Sequence, residues 1–123
     1  MSTILIVEDE EPVRRFVSEL LQEYGYNVRI AGNGVEALKI WHEHSGSIDL
    51  LLTDVVMPES VSGMQLADRL LHEKRDLKVI YTSGYSMELL DSQFQTRSDL
   101  TFVPKPYHPI KLAETVRNTL DAD

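Results

Sequence analysis

The sequence predicts an α/β fold in which a parallel sheet of five strands is covered by helices on both faces. Short apolar runs alternate along the chain with segments whose apolar residues recur at helical spacing. Most of these runs contain few polar residues, which is typical of parallel strands that are buried on both sides. Because strand and helix alternate, right-handed crossovers and a parallel arrangement are expected.

Each predicted strand is a run of four to six mainly apolar residues. The first reads Ile4-Leu5-Ile6-Val7 and is rich in β-branched side chains, which suit the interior of a sheet. The predicted strands cover residues 4–7, 26–30, 48–53, 77–81 and 100–103.

The first predicted helix has a sequence signal at each end. Pro12 suits the first turn of a helix, and Gly25 is placed to end it. Between them lies an amphipathic stripe made of Val13, Phe16, Val17, Leu20, Leu21 and Tyr24.

Capping patterns predict the starts of the next two helices. Asn33 with Glu36 and Ser62 with Gln65 each have the spacing of a reciprocal N-terminal cap. The remaining two helices are predicted at 86–90 and from Pro109 onward.

Size and charge narrow the classes of protein. The 123 residues suit one domain, so we expect a single domain over 1–123 without an output domain. The 12 basic and 20 acidic residues give a net charge of −8, which disfavours direct binding to nucleic acid. No apolar run approaches the roughly 20 residues that cross a membrane, and the start lacks a signal peptide. We therefore expect a cytoplasmic protein without membrane contact.

Reactive side chains cluster at the predicted strand ends. Ligands of open α/β sheets bind outside the carboxyl ends of the strands, so residues at those ends are the first candidates for a site. These candidates are Glu8 and Asp9 after the first strand, Asp54 after the third, Thr82 and Ser83 after the fourth, and Lys105 after the fifth.

The candidate residues have a common chemistry. Carboxylates gathered at one edge repel one another, and a divalent cation relieves that repulsion. Oxygen ligands without His or Cys favour a hard ion such as Mg²⁺, which also binds phosphate oxygens. A lysine and a hydroxyl can hold the remaining phosphoryl oxygens, while one carboxylate acts as the nucleophile. The pattern therefore indicates phosphoryl chemistry.

Four motifs together resemble the receiver domains of two-component response regulators, including those of hybrid sensor kinases and single-domain regulators. The resemblance covers essentially the whole chain and implies a flavodoxin-like (βα)5 fold with strand order 2-1-3-4-5. The motifs are Ile4-Leu5-Ile6-Val7-Glu8-Asp9-Glu10, Leu51-Leu52-Thr53-Asp54-Val55-Val56-Met57-Pro58, Val79-Ile80-Tyr81-Thr82-Ser83-Gly84 and Phe102-Val103-Pro104-Lys105-Pro106.

The resemblance implies an acceptor and a Mg²⁺ site. Asp54 matches the aspartate that accepts the phosphoryl group. Asp9 matches the direct metal ligand, and Glu8 its partner that acts through a water. Many members have Asp where this chain has Glu8, whose longer side chain still reaches a water. The backbone carbonyl of Val56 would complete the metal ligands that the protein supplies.

The resemblance also implies a switch. Thr82 matches the hydroxyl that moves toward the phosphoryl group, and Lys105 matches the lysine that pairs with a phosphoryl oxygen. Phe102 matches the aromatic residue that turns inward with the hydroxyl. The donor would be the phosphohistidine of a sensor histidine kinase or a histidine phosphotransfer protein. The face of the fourth helix, fifth strand and fifth helix would then change for an unknown downstream partner, and homodimer formation is left open.

Three other functions compete with this interpretation. A phosphatase that forms an aspartyl phosphate would need a second acid two residues after Asp54, where the chain has Val56. A flavin carrier would need a glycine- and hydroxyl-rich phosphate loop where the chain has the acidic run 8–11. An interaction module independent of phosphorylation is the third alternative. We expect no enzyme activity beyond phosphorylation and dephosphorylation of Asp54 itself.

Overall fold

The computed structural model of the chain describes residues 2–44, 47–54, 63–83, 101–104 and 108–121. Four helices lie among the described residues, and the predicted helix at 86–90 lies outside them. The strands are β1 (Thr3–Val7), β2 (Asn27–Ala31), β3 (Leu50–Asp54), β4 (Lys78–Ser83) and β5 (Thr101–Pro104). The helices are α1 (Glu11–Glu23), α2 (Gly34–His44), α3 (Gly63–Glu73) and the C-terminal helix (Pro109–Asp121).

The sheet has five strands in the order β2-β1-β3-β4-β5. Every neighbouring pair is parallel, which confirms the predicted fold class and strand order. All residues of β1 and β3 are buried, as expected for central strands covered on both faces.

Two apolar layers cover the sheet, one on each face. Successive residues of β1 point to opposite faces, so Leu5 and Val7 enter one layer while Ile4 and Ile6 enter the other. The first layer includes buried residues of α2 and α3, and the second includes those of α1 and the C-terminal helix. Because all the strands are parallel, their carboxyl ends lie at the same edge of the sheet.

The first helix agrees with its predicted start and end. Pro12 lies in its first turn, and Gly25 follows it with a φ of +94°, which is a left-handed conformation. Val17 and Leu21 are buried, but Phe16 and Tyr24 are 42% and 55% exposed. Phe16 lies about 100° around the helix from Val17 and so falls on the flank of the buried stripe. Tyr24 caps the helix beyond its last turn, so the predicted stripe was too wide.

The start of α2 differs from a reciprocal cap in one contact. The Asn33 Oδ1 accepts a hydrogen bond of 2.8 Å from the Glu36 N–H, as predicted. The Glu36 Oε1 accepts from the Gly32 N–H at 2.6 Å instead of returning to the N–H of Asn33. The Glu36 side chain therefore binds the backbone N–H one residue before the position that the capping pattern predicts. The predicted cap at Ser62 lies outside the described residues.

Candidate metal and phosphoryl site

An acidic cluster lies at the carboxyl edge of the two central strands. Glu8 and Asp9 follow β1, and Asp54 is the last residue of β3. The strands are adjacent and parallel, with Val7 in register with Thr53, so their ends meet at the same edge. Carboxylate oxygens from Glu8, Asp9 and Asp54 lie within 4.8 Å of one another. The structure thus brings the adjacent carboxylates of Glu8 and Asp9 together with Asp54, which is far away in the sequence.

The acidic cluster is buried on one side and exposed to solvent on the other. Glu8 and Asp54 are only 2% and 6% exposed, whereas Asp9 is exposed. The grouped ligand atoms are carboxylate oxygens, the type of ligand that a hard divalent cation prefers. The exposed Asp9 leaves the cluster open to solvent on one side. These residues therefore fit a Mg²⁺ ion that can also contact a ligand from outside.

Asp54 and Thr82 are paired within the sheet. The sequence placed both residues beyond their strands, but β3 continues to Asp54 and β4 to Ser83. The ladder between β3 and β4 extends this far and sets Asp54 opposite Thr82. Thr82 is buried, with 1% of its surface exposed. The predicted acceptor and the predicted switch hydroxyl therefore stand side by side on neighbouring strands.

Hydrogen bonds to β2 and to α1 hold the acidic turn after β1. The Glu8 N–H donates to the Ala31 carbonyl of β2 at 3.0 Å. The Glu10 N–H donates to Glu8 Oε2 at 3.1 Å, and Arg14 Nη1–H donates to the Glu8 carbonyl oxygen at 2.9 Å. The turn is thus fastened both to the neighbouring strand and to the helix that follows. Sequence reasoning did not identify Arg14.

The other predicted site residues are less fully described. Lys105 and the backbone carbonyl of Val56 lie outside the described residues, so their roles stay predictions. Phe102 lies on β5, where its backbone is in register with Tyr81. The inward movement predicted for the Phe102 side chain also stays a prediction. In the part of the chain that the structure describes, no helix combines the length and apolar character of a membrane-spanning segment.

Fold and site together define a class of protein: a doubly wound α/β domain with an acidic cluster at the carboxyl edge of its parallel sheet. A family model described as the response regulator receiver domain matches residues 4–117. The chain belongs to this family and is a receiver domain, the phosphoacceptor domain of two-component signalling.

Three similar proteins show the range of the family. The chain is 39% identical to sensor kinase CckA of Brucella abortus over 98% of its own length but only 13% of the kinase. It is 34% identical to the response regulator receiver protein CpdR of the same species, over 99% of both proteins. The structure of TrrA from Thermotoga maritima in complex with Mg²⁺ and BeF is 35% identical, with a TM-score of 0.80 over 97% of this chain and 99% of TrrA.

Proposed function

We propose that residues 1–123 form one receiver domain that accepts a phosphoryl group on Asp54. The donor is the phosphohistidine of a sensor histidine kinase or of a histidine phosphotransfer protein. The observation that carries this proposal is the meeting of the Glu8, Asp9 and Asp54 carboxylates within 4.8 Å, with Asp54 in register with Thr82. Similarity both to a sensor kinase and to a receiver protein of single-domain length supports the choice of donor.

We propose Mg²⁺ as the cofactor of this site. Asp9 and Asp54 would hold the ion directly, Glu8 would act through a water, and the carbonyl of Val56 would supply the remaining protein ligand. The all-carboxylate cluster supports this choice, as does the Mg²⁺ in the TrrA complex. When bound, Mg²⁺ neutralises the negative charge of the carboxylates and of the phosphoryl oxygens.

The proposed transfer is a displacement at phosphorus. A carboxylate oxygen of Asp54 forms the new O–P bond while the N–P bond of the phosphohistidine breaks, and the imidazole nitrogen leaves with the electron pair. Thr82 and Lys105 hold phosphoryl oxygens by hydrogen bonding and charge. The buried position of Asp54 fixes the acceptor and limits its motion, which favours a reaction that depends on alignment.

The proposed consequence of phosphorylation is a change of shape beyond the site. Thr82 moves toward the phosphoryl group, and Phe102 turns inward. The surface around β5 and the C-terminal helix then alters for a downstream protein, as expected for a local charge event that biases a two-state element. The domain catalyses nothing beyond its own phosphorylation and dephosphorylation. Because the proposed donors are signalling kinases and phosphotransfer proteins, we propose a cytoplasmic location.

Phosphorylation can be tested directly with a small phosphodonor. Purified protein is incubated with acetyl phosphate or phosphoramidate and Mg²⁺, and its intact mass is measured. We expect one added phosphoryl group on the wild type, none without Mg²⁺ and none on Asp54→Asn. Peptide mapping should place the group on the peptide that contains Asp54.

A matched control separates Asp54 from other carboxylates. Asp68 lies exposed on α3 and is not a member of the acidic cluster, so Asp68→Asn should be phosphorylated like the wild type. An undiminished adduct on Asp54→Asn would refute the assignment of the acceptor. Steady hydrolysis of phosphomonoesters would favour the phosphatase alternative, and a wild type that is never modified would favour the phosphorylation-independent module.

A further inference from the structure

We infer that Arg14 is a positioning residue for the metal site, because it fixes the peptide group that joins Glu8 to Asp9. This inference rests on the proposed Mg²⁺ site and adds a residue to it from outside the acidic cluster. Arg14 contacts neither the reacting carboxylate nor the metal in this account. It acts through the backbone of the acidic turn.

The decisive contact is the hydrogen bond from Arg14 Nη1–H to the Glu8 carbonyl oxygen, at 2.9 Å. That carbonyl belongs to the planar peptide unit whose other end is the nitrogen of Asp9. Its orientation therefore fixes the Asp9 nitrogen, and together with the φ angle of Asp9 it sets the direction in which the Asp9 side chain leaves the backbone. A fixed peptide plane holds the exposed carboxylate of Asp9 over the buried ones.

Two further hydrogen bonds anchor Glu8 at other atoms than its carbonyl oxygen. The Glu8 N–H is bound to Ala31 at 3.0 Å, and the Glu8 carboxylate accepts from the Glu10 N–H at 3.1 Å. These bonds hold the nitrogen and the side chain of Glu8. The bond from Arg14 acts on a different atom, the Glu8 carbonyl oxygen, which belongs to the peptide unit that leads into Asp9.

The position of Arg14 on α1 allows its side chain to reach the Glu8 carbonyl oxygen. Its own N–H donates to the Glu10 carbonyl at 2.9 Å, within the first turn of α1. Long side chains on a helix point back toward the N-terminus, so an arginine here lies over the turn that precedes the helix. Arg14 is also half-buried, which limits the freedom of its guanidinium.

The turn before α2 leaves room for the guanidinium. A Cβ at position 32 would lie 3.2 Å from Arg14 Nη1 and 3.0 Å from Glu36 Oε1. Both side chains therefore occupy the space that glycine leaves open. The Gly32 N–H holds the Glu36 carboxylate at 2.6 Å. Arg14 thus packs between the acidic turn and the turn before α2.

Loss of the Arg14 contact and loss of the Arg14 charge should change the affinity for Mg²⁺ in opposite directions. A positive charge beside an acidic cluster disfavours the arrival of a dication, so loss of the charge alone would strengthen Mg²⁺ binding. Loss of a positioning contact would weaken it, because the carboxylates would no longer be held in place. The direction of the change therefore distinguishes the two effects.

The experiment measures the dissociation constant of Mg²⁺ by isothermal titration calorimetry for wild type, Arg14→Gln and Arg15→Gln. Arg15 is the matched control, since its exposed side chain points to Glu19 at 4.0 Å on the same helix. We expect about tenfold weaker binding for Arg14→Gln, the scale on which outer contacts tune metal sites. Arg15→Gln should bind as tightly as the wild type or slightly more tightly.

Two further measurements test positioning itself. Arg14→Lys keeps the charge and one donor, so it should recover part of the lost affinity. In metal-free protein, the NMR signal of the Glu10 amide should shift in Arg14→Gln and stay in place in Arg15→Gln. Should Arg14→Gln fail to fold, Gly32→Ala replaces it, because a Cβ 3.2 Å from Arg14 Nη1 forces the guanidinium to shift and should weaken Mg²⁺ binding in the same direction but by less.

The outcomes separate this inference from the proposed function. A wild type that binds Mg²⁺ while Arg14→Gln, or Gly32→Ala in its place, binds it equally or more tightly would overturn the role of Arg14 alone. A wild type that does not bind Mg²⁺ would overturn the proposed metal site and this inference together.

Discussion

At the scale of single residues, Trp41 shows how a large side chain is kept in the core with its polar atom satisfied. Trp41 is 1% exposed and packs in the layer between the sheet and helices α2 and α3. Its Nε1–H donates to Glu73 Oε1 of α3 at 3.1 Å. This contact joins α2 to α3 by a hydrogen bond as well as by apolar packing.

Replacement of Trp41 should destabilise the domain. Trp41→Phe removes the donor and part of a buried ring, so we expect the free energy of unfolding to fall by about 2 kcal/mol. The measurement is urea unfolding followed by far-ultraviolet circular dichroism, because the variant lacks the single tryptophan. Glu73→Gln is the control: it keeps an acceptor oxygen and should change stability by less than about 0.5 kcal/mol. Equal losses in the two variants would contradict this account.

The sequence reveals the acidic residues of the site but hides the residue that positions them. Glu8, Asp9 and Asp54 could be grouped in advance because the ends of parallel strands share one edge. Arg14 could not, because a bond from a side chain to a backbone carbonyl depends on a rotamer and leaves no periodic pattern. One signal was available: a cation in the first turn of a helix is disfavoured by the helix dipole and needs a local reason.

At the scale of elements, Gly25 determines how α1 passes into β2. Its φ of +94° lies in the left-handed region, and its N–H donates to the Gln22 carbonyl at 3.0 Å. A Cβ at this position would meet nothing within 4 Å. The need for glycine is therefore conformational and not a matter of space.

Gly25→Ala should cost about 1 kcal/mol of unfolding free energy, because an L-residue is strained at this φ. Gly25→Asn should cost clearly less, since Asn tolerates the left-handed conformation best among the other residues. Chemical denaturation of both variants beside the wild type measures the difference. An Asn variant that is no more stable than the Ala variant would contradict a conformational cause.

The periodicity of apolar residues predicts which strands exist more accurately than it predicts the residues at which they end. Apolar runs located all five strands, yet β4 reaches Ser83, beyond the predicted end at residue 81. The reason is that a strand end depends on its neighbour: β4 continues while β3 and β5 supply partners up to Thr82 and Ser83. A local pattern contains no information about that neighbour.

At the scale of the whole molecule, binding of Mg²⁺ should raise the free energy of unfolding. An ion that binds only the folded protein stabilises it by about 1.4 kcal/mol at ten times its dissociation constant. We expect this gain for the wild type in thermal or urea unfolding with added MgCl₂. For Asp54→Asn with tenfold weaker binding, the gain at the same concentration should be about 0.4 kcal/mol.

Ionic strength must be held constant in that experiment, because screening alone alters the stability of a chain with a net charge of −8. Matched NaCl solutions serve as the control. Equal stabilisation by NaCl and MgCl₂ would contradict a specific site and indicate general screening.

The architecture was the most predictable level, for two separate reasons. Alternation of strands and helices predicts a parallel sheet from chain connectivity alone. The order β2-β1-β3-β4-β5 does not follow from local patterns and was expected only from the family resemblance. Ile110 of the C-terminal helix lies at helical spacing from the buried Ala113, yet Ile110 is 57% exposed. Spacing identifies a stripe, but only the packed neighbours decide how much of it is covered.

The pairing of Asp54 with Thr82 limits how this domain can respond to a modified aspartate. Both residues are held in adjacent strands by ladder register, so the backbone sets the separation of their Cα atoms. Thr82 can approach a group on Asp54 chiefly by rotation about χ1, which for a β-branched side chain has a few discrete wells. Its hydroxyl therefore has a small set of allowed positions, and in the proposed switch the response of Thr82 is a step between rotamers with no graded intermediate.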